Sequence, residues 1–192
     1  NVSDPASYFT SNIVPIKFFN CNTHCHKDLA AALKKAQAAL ISAGHNFTLA
    51  SAGSFVPRTV NYNINILSNH ALGTAIDINP NSNPHIMSKG EIEVINAVCR
   101  PVLTSGLLAE TDPDMLRRAS DHFRSTFNEE WINQQTLSTL IKAIRDNRSR
   151  LNQFATNGFL NLPTVFIRAL QNAGLGWGGS WKSSKDFMHF EL

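Results

Sequence analysis

Apolar side chains recur every three or four positions in several stretches of the chain, which is the spacing of one helical face. The first such stretch covers residues 28–43 and is followed by Gly44, a residue type that commonly ends helices. Further along, Ser88 is followed three residues later by Glu91, a pair that is typical of a capping box. We therefore predict an amphipathic helix over residues 28–43 and a second helix from Ser88 to about Cys99.

The second half of the chain is rich in helix-forming residues. This composition predicts two helices within residues 111–156, and a further helix begins near Pro163 and stops at Gly174. Apolar and polar residues instead alternate over residues 73–79, which predicts a β-strand. Residues 187–192 alternate in the same way and are predicted to form an edge strand at the end of the sequence.

Two segments lack a clear hydrophobic period. Residues 1–22 are rich in Asn and are predicted to be irregular, and residues 53–69 carry Gly, Pro and several Asn, which predicts a long loop. Residues 47–52 precede that loop as a short β-like run. Because helices and strands are mixed without βαβ order, we predict an α+β fold with a small antiparallel sheet flanked by helices. A length of 192 residues is typical of one domain.

Composition and charge narrow the class of protein. Hydrophobic residues make up 43% of the sequence, which is too apolar for a disordered chain, yet no run approaches the roughly 18 apolar residues of a membrane span. The net charge is +3 with scattered Lys and Arg, so nucleic acid is not an expected partner. Three cysteines allow at most one disulfide bond. Since the sequence begins with Asn1 instead of Met, we expect a processed product or a segment of a longer chain.

The segment that ends at Asp77 contains the first candidate metal ligands. On the predicted strand, Asp77 faces away from the isoleucines on either side of it, because strand side chains alternate. Gly73 lets the backbone bend, so that His70, seven residues before Asp77, can return to the same face. An imidazole and a carboxylate that converge in this way can bind zinc, although a zinc site needs a third protein ligand.

The end of the sequence offers that third ligand. His189 and Glu191 share one face of the predicted C-terminal strand, and its apolar residues share the core face. These apolar residues are Met188, Phe190 and Leu192. Asp186 precedes His189 by three residues, in a turn before the strand. A catalytic zinc site needs three protein ligands, an open position for water and a carboxylate that moves protons. With His70 and Asp77, this segment completes the set.

Two ordered motifs carry a family resemblance. They are Ser68-x-His70-x-x-Gly73-x-Ala75-x-Asp77, and Trp177-Gly178-Gly179 ahead of Asp186-x-x-His189-Phe190-Glu191. The chain resembles the zinc peptidases of bacterial peptidoglycan, which include D-alanyl-D-alanine carboxypeptidases and dipeptidases, L-alanyl-D-glutamate endopeptidases and several phage endolysins. It is most similar to the branch with Asp, instead of Glu, three residues before the last His ligand. The resemblance covers about residues 45–80 and 160–192, so residues 104–157 are predicted to be a helical insertion.

The resemblance implies a role for individual residues. His70, Asp77 and His189 would bind one zinc ion, and Asp186 would be the general base that activates a water molecule. Arg58, twelve residues before His70, falls where the family places an arginine that stabilises the oxyanion or holds a substrate carboxylate.

Three further residues are candidates for supporting roles. Ser68 is a candidate substrate-binding residue within the first motif. Trp181 either contacts substrate or closes a core, and for Trp177 we expect the core position. Glu191 is either a partner that orients the His189 ring or a solvated edge residue.

Residues 21–26 combine two thiols and two imidazoles. Their spacing is tighter than that of a zinc finger and a distant second pair is lacking, so we expect them only to lead into the first helix. A second metal site and a Cys21–Cys25 disulfide are the alternatives. Cys99 is predicted to be a buried small hydrophobic residue. His85, for which the sequence shows no partner, is predicted to lie at the surface.

Together these features predict a monomeric zinc peptidase that cuts peptidoglycan stem peptides as a D,D-carboxypeptidase or as an endopeptidase. It would act in the periplasm, in the cell wall or in the envelope of another cell. An immunity protein or a delivery machine is an alternative partner of the helices within residues 104–157. The alternative function is a zinc-stabilised cell-wall-binding module with little or no catalysis.

Overall fold

The computed structural model describes residues 4–60 and 63–192 and has the predicted α+β architecture. The chain forms two compact units. The first contains the described residues up to Pro80 together with Val165–Trp177 and Met188–Leu192, and the second contains Asn81–Thr164 and Gly178–Phe187. The organisation as one domain, with a helical insertion over residues 104–157, stays a prediction.

The elements of the described residues are as follows. The helices are α1 (Pro5–Asn12), α2 (Lys27–Ser42), α3 (Lys89–Cys99), α4 (Pro113–Thr126), α5 (Glu129–Asn133), α6 (Ser138–Asp146), α7 (Arg148–Asn157) and α8 (Thr164–Asn172). The strands are β1 (Ile13–Phe18), β2 (Cys21–His26), β3 (Ala52–Gly53), β4 (Thr59–Val60), β5 (Asn63–Leu67), β6 (Ala75–Ile78), β7 (His85–Ile86), β8 (Gly176–Trp177), β9 (Lys185–Asp186) and β10 (His189–Glu191). Two 3-10 helices cover Asn69–Leu72 and Gly178–Ser180.

The first unit begins with a helix and a β-hairpin, so the prediction of an irregular segment over residues 1–22 is wrong where the structure describes it. The Asp4 carboxylate caps α1 by accepting a hydrogen bond from the Ser7 backbone N–H. Phe19, at a φ of 50°, turns the chain between β1 and β2. The strand pattern was hidden because Pro15 interrupts β1 and most of β2 is polar.

Helix α2 confirms the amphipathic helix predicted for residues 28–43. Leu29 and Leu33 are fully buried on its apolar face, and Gly44 follows the helix at a φ of 82°. The helix packs on both strands of the N-terminal hairpin. Helix α8 likewise confirms the helix predicted between Pro163 and Gly174.

A four-stranded antiparallel sheet forms the centre of the first unit, with the strand order β3-β6-β10-β8. Strand β10 is therefore an interior strand, and the prediction of an edge strand over residues 187–192 is wrong. Strand order depends on pairing between distant segments, which the alternation within one segment does not encode. Two of the three candidate ligands, Asp77 on β6 and His189 on β10, thus lie on the two interior strands of the sheet.

One face of this sheet packs into the apolar core. Ile76 and Phe190 are fully buried, and the buried Trp177 ring stacks on Phe190 with 6.4 Å between centroids, as expected of a core residue. Met188 is only half-buried and Leu192 is 51% exposed, so their predicted core positions are wrong. Both lie at the ends of β10, where their backbones still hydrogen-bond to Ile78 and Thr74, but the core covers only Phe190 between them.

The segment before the first motif differs from its prediction. The strand predicted over residues 47–52 is reduced to β3, and the N–H groups of Ala50 and Ser51 instead donate to Oδ1 of Asn79 at 2.8 and 3.0 Å. Of the loop predicted over residues 53–69, the structure describes all but residues 61–62, and the described part contains the antiparallel strand pair β4 and β5. Asn-rich composition therefore concealed these two short strands.

The second unit is mainly helical. Helix α3 begins after Ser88, whose hydroxyl accepts the backbone N–H three residues later, as predicted. Four helices, α4 to α7, occupy residues 111–156 where two were predicted. Two of the three breaks arise at Asn128, which caps α5, and at Asn147, which separates α6 from α7. The third lies between Asn133 and Ser138. Among the described residues, no helix is both long enough and apolar enough to cross a membrane.

The cysteine alternatives are excluded by strand geometry. Cys21 and Cys25 lie on the same strand, four residues apart, which separates them by about 13 Å in extended backbone. A disulfide needs Cα atoms within about 7 Å, and all three cysteines are free. Residues 21–26, all described, form no group of three ligand atoms close enough to hold a metal ion. Cys99 is buried as predicted, and burial raises the pKa of its thiol to about 12.

Candidate metal centre

The 3-10 helix Asn69–Leu72 carries the first candidate ligand. Ser68 caps this helix, because its hydroxyl accepts the His70 N–H at 3.3 Å. The Ser68 N–H itself donates to the Arg58 carbonyl at 3.1 Å. The helix ends at Gly73, whose φ of 69° lies in the left-handed region that glycine adopts without strain.

Gly73 also packs this turn against the N-terminal hairpin. Its carbonyl accepts the His26 backbone N–H at 2.8 Å. A Cβ at residue 73 would lie 2.8 Å from that same nitrogen and 2.6 Å from Cδ1 of Ile13. Only glycine permits this approach, and the hairpin thereby positions the turn that carries His70.

Strands β6 and β10 bring the other two candidate ligands together. Their antiparallel register places Asp77 directly opposite His189, and Ile76 opposite Phe190. Directly opposed residues have Cβ atoms about 4.5–5.5 Å apart, so the carboxylate and the imidazole leave the same face side by side. The side-chain alternation predicted for the two strands therefore places Asp77 and His189 on the same face of the sheet.

The three candidate ligands meet in one cluster. Nε2 of His70 lies 3.3 Å from Oδ1 of Asp77 and 3.3 Å from Nδ1 of His189. Nδ1 of His189 lies 3.1 Å from the same Asp77 oxygen. His70 and His189 are only 3% and 7% exposed, and Asp77 is half-buried. The cluster thus presents three potential ligand atoms in a largely enclosed position.

The second nitrogen of each imidazole is held by an acceptor. Nδ1 of His70 lies 2.8 Å from the Ser54 carbonyl oxygen, and Nε2 of His189 lies 3.1 Å from Oε2 of Glu191. Since a carbonyl and an ionised carboxylate can only accept, these two nitrogens carry the proton in the neutral rings. The lone pairs of His70 Nε2 and His189 Nδ1 are then directed towards Asp77.

A positive charge or a proton is needed among these three atoms, because three lone pairs at such distances repel one another. In the absence of a metal ion, ring protons on the two nitrogens, Nε2 of His70 and Nδ1 of His189, meet this need. Burial alone raises the pKa of the Asp77 carboxyl, but the hydrogen bonds that His189 and His70 then donate, together with their charge, outweigh this effect and hold that pKa far below its usual range. The carboxylate therefore stays ionised. Two imidazoles and one carboxylate form a donor set that zinc prefers.

The dimensions of the cluster fit a tetrahedral metal ion. Zinc binds nitrogen and carboxylate oxygen at about 2.0–2.1 Å, and two ligands of a tetrahedron with such bonds lie about 3.3–3.4 Å apart. The observed separations of 3.1, 3.3 and 3.3 Å are close to these values. An octahedral ion such as Mg²⁺ would need neighbouring ligands about 2.8–3.0 Å apart. Three protein ligands also leave the fourth position that a catalytic zinc site requires.

The other predicted site residues lie in both units. Oε2 of Glu191 lies 3.1 Å from Nε2 of His189, and its role as an orienting partner stays a prediction. Arg58 is exposed next to β4 in the first unit, and Ser68 is buried with its hydroxyl engaged as a helix cap. Asp186 and Trp181 belong to the second unit. The roles of Arg58, Ser68 and Trp181 towards a substrate stay predictions.

Asp186 lies on β9, which pairs with β7 so that His85 is directly opposite it. His85, predicted to lie at the surface, is instead half-buried within this two-stranded sheet. A Cβ at residue 178 would lie 2.5 Å from the Asp186 carbonyl oxygen and 2.9 Å from its Cβ. Gly178, the first glycine of the second motif, therefore permits the close approach of the 3-10 helix to β9.

Lys185 is a fully buried lysine next to Asp186. Its ammonium group donates hydrogen bonds to the carbonyl oxygens of Glu110 and of Gly179. Burial lowers the pKa of Lys185 to about 8, although the charge of Glu110 acts in the opposite direction. Nothing in the local sequence distinguishes this residue from the exposed Lys182 nearby, so sequence reasoning missed it.

Lys185 should make the free energy of unfolding rise with pH between about 8 and 10.5. Its pKa is about 10.5 in an unfolded chain and about 8 in the folded protein, so the unfolded chain binds more protons in this window. In denaturant unfolding, the free energy of unfolding of wild type minus that of Lys185→Met should therefore rise with pH. The exposed-lysine variant Lys182→Met should show no such trend. A Lys185→Met difference that is constant with pH would contradict the prediction.

Glu191→Gln should weaken metal binding roughly 10- to 100-fold, as is typical when the partner of a metal-binding imidazole is changed. The Glu191 Oε2 atom contacts Nε2 of His189 and accepts a 2.6 Å hydrogen bond from Nδ2 of Asn69. The charge that favours a proton on Nε2 of His189 is lost in the variant. Competition with a coloured chelator measures the affinity, and the exposed Glu93→Gln is the matched control. Equal affinities of Glu191→Gln and wild type would refute this role.

Two contacts of the cluster were not predicted. The Ser54 carbonyl that orients His70 is a backbone group, which residue identity does not reveal. Asn69 binds Glu191 across 122 positions of sequence, and its only signal was its place beside His70 in the first motif.

Comparison with protein-family models matches residues 63–192 to the family described as D-alanyl-D-alanine carboxypeptidase. The match covers more than half of the chain and includes both motifs, whereas Arg58 precedes the matched range. Residues 104–157 lie within the matched range. Searches of curated proteins and of solved structures found no match.

Proposed function

Because the chain belongs to the D-alanyl-D-alanine carboxypeptidase family, we propose that it is a zinc-dependent peptidase that hydrolyses peptide bonds in the stem peptides of bacterial peptidoglycan. The observation that carries the proposal is the cluster of His70, Asp77 and His189, whose potential ligand atoms lie 3.1–3.3 Å apart. Family membership by itself supports a metallopeptidase. The proposal adds the identity of the metal and the class of substrate.

Zinc held by these three side chains would supply Lewis acidity, which polarises a peptide carbonyl and makes water nucleophilic near neutral pH. Asp186, three residues before His189 in the second motif, is assigned the proton transfers. Its carboxylate accepts a proton from the attacking water and later donates it to the leaving amine. A C–O bond forms, the C–N bond breaks, and one water molecule is consumed for each bond cut.

Arg58 is assigned the negative charge of the substrate, either on the carbonyl oxygen during attack or on a terminal carboxylate. In support, Arg58 is exposed, and its backbone carbonyl is hydrogen-bonded to Ser68, which caps the helix that carries His70. Trp181 is retained as a proposed substrate contact in the second unit. The Asp-base branch of the family follows from Asp186 and belongs to the same proposal.

We place this activity outside the cytoplasm, in the periplasm, the cell wall or the envelope of another cell, because its proposed substrate lies there. The proposed state is a monomer. Zinc is the proposed cofactor, with one ion per chain.

Mass spectrometry of a defined muropeptide digest tests the proposed function. A carboxypeptidase would release a terminal alanine, and an endopeptidase would divide the stem into two peptides whose summed mass exceeds the substrate by one water. His70→Ala should produce neither change, whereas the exposed His45→Ala should cut like wild type. Unchanged muropeptides together with sedimentation on intact sacculi would instead support the wall-binding module.

A further inference from the structure

The pairing of β7 with β9 brings a second titratable side chain to the proposed general base. His85 is directly opposite Asp186 in the ladder, and its Nδ1 atom lies 3.8 Å from Oδ2 of Asp186. The His85 side chain is 36% exposed and that of Asp186 is 14% exposed. The separation is within ion-pair reach but is longer than a hydrogen bond. Contacts of catalytic groups are often long without substrate and shorten in the reacting complex.

The strand that carries His85 is fixed by the helices of the second unit. Arg150 on α7 donates to the His85 carbonyl oxygen at 2.9 Å and, through Nε, to the Glu91 carboxylate of α3 at 3.0 Å. Glu91 is only 5% exposed, whereas the Arg150 side chain is 41% exposed, so the carboxylate end of this pair is the end shielded from solvent. The Pro84 carbonyl also accepts the Phe187 N–H at 3.3 Å, which holds the two short strands together.

The ring of His85 is oriented as well. It meets the Trp181 ring edge to face, with 6.5 Å between centroids. Its Nε2 atom is buried and has no hydrogen-bond partner among the residues that the structure describes. The Asp186 carboxylate is an acceptor close to Nδ1. A proton on Nδ1 therefore lets the His85 ring donate towards this carboxylate.

We propose that His85 is a positioning residue that holds the Asp186 carboxylate in the orientation needed for proton transfer. The inference rests on the proposed function, in which Asp186 is the general base. It also assigns a task to two helices of the second unit, since α7 anchors the His85 backbone through Arg150, which is itself held by Glu91 of α3. His85 itself need not touch substrate.

The test compares His85→Ala with His85→Asn in the full chain loaded with zinc. His85→Ala should lower kcat for muropeptide cleavage roughly 10- to 100-fold with little change in KM, the size of effect seen for partners that orient catalytic groups. His85→Asn should recover part of this loss, because its amide nitrogen can occupy the place of Nδ1. Bound zinc and the melting temperature should match wild type, and His122→Ala serves as the matched histidine control.

A double-mutant cycle with Asp186→Asn separates positioning from a structural role. If His85 acts through Asp186, His85→Ala should cost little further activity in the Asp186→Asn background. Equal losses in both backgrounds, or His85→Asn no better than His85→Ala, would overturn the inference. A third result would overturn the inference and leave the proposed function intact: wild type cuts muropeptides, Asp186→Asn is inactive, and His85→Ala is fully active. Wild type that fails to cut them would overturn the proposed function and the inference with it.

Discussion

Asp186→Asn should retain the bound metal and lose roughly 10²- to 10⁴-fold in the rate of muropeptide hydrolysis, the usual contribution of a general base. The amide has nearly the same shape as the carboxylate but cannot accept the proton of the attacking water. Because His70, Asp77 and His189 are unchanged, metal content should stay at one ion per chain. Single-turnover kinetics and metal analysis on the same sample measure both quantities.

A matched control for this variant is Asp121→Asn, which removes an equally charged but exposed side chain on α4. Its activity should equal that of wild type. Full activity of Asp186→Asn would show that another group moves the proton, and the role of the second motif would have to be reassigned.

His189→Ala should abolish hydrolysis and weaken metal binding by more than about 100-fold, because it removes a ligand and not merely the partner of one. The variant also removes the imidazole that lies 3.1 Å from the Asp77 carboxylate, which would remain half-buried beside His70 alone. A ligand present at 1,000 times its Kd stabilises a protein by about 4.1 kcal/mol. Zinc should therefore raise the melting temperature of wild type and leave that of His189→Ala nearly unchanged.

The exposed His45→Ala controls for the general loss of an imidazole and should keep the thermal shift caused by zinc. An undiminished shift in His189→Ala would place the metal elsewhere in the chain. Calorimetry with and without added zinc distinguishes the two results.

The candidate site was more predictable than the fold that holds it. Side-chain alternation in a strand is a local property, and it correctly placed Asp77 and His189 on the faces from which they meet. The bend at Gly73 was likewise readable, because a residue with positive φ is most often glycine. Short-range rules thus placed each side chain on its face, and the family resemblance carried by the two motifs implied that the three would converge.

What failed in the prediction depends on contacts between distant segments. Strand β10 lies between β6 and β8, an order that alternation within residues 187–192 does not determine. The N-terminal hairpin was missed because Pro15 and a polar β2 obscured its period, although it packs against the turn that carries His70. His85 was assigned to the surface because its partner, Asp186, lies 101 positions away in sequence and was not recognised as its neighbour.

The predicted number of helices in residues 111–156 was wrong for a different reason. The stretch over residues 111–156 has helix-forming composition throughout, and composition alone does not mark where one helix ends. Two of the three breaks occur where Asn128 and Asn147 compete for backbone hydrogen bonds at helix ends. Such polar residues also occur inside helices, so their capping role became visible only with the structure.

A metal titration of the apoprotein tests the central claim most directly. Cleavage of a defined muropeptide is measured as zinc is added to chelator-treated protein, in wild type and in His70→Ala. The account predicts no cleavage without metal, a rise that ends at one equivalent of zinc, and no rise in His70→Ala. Cleavage by the metal-free wild type, or an identical titration in His70→Ala, would contradict it.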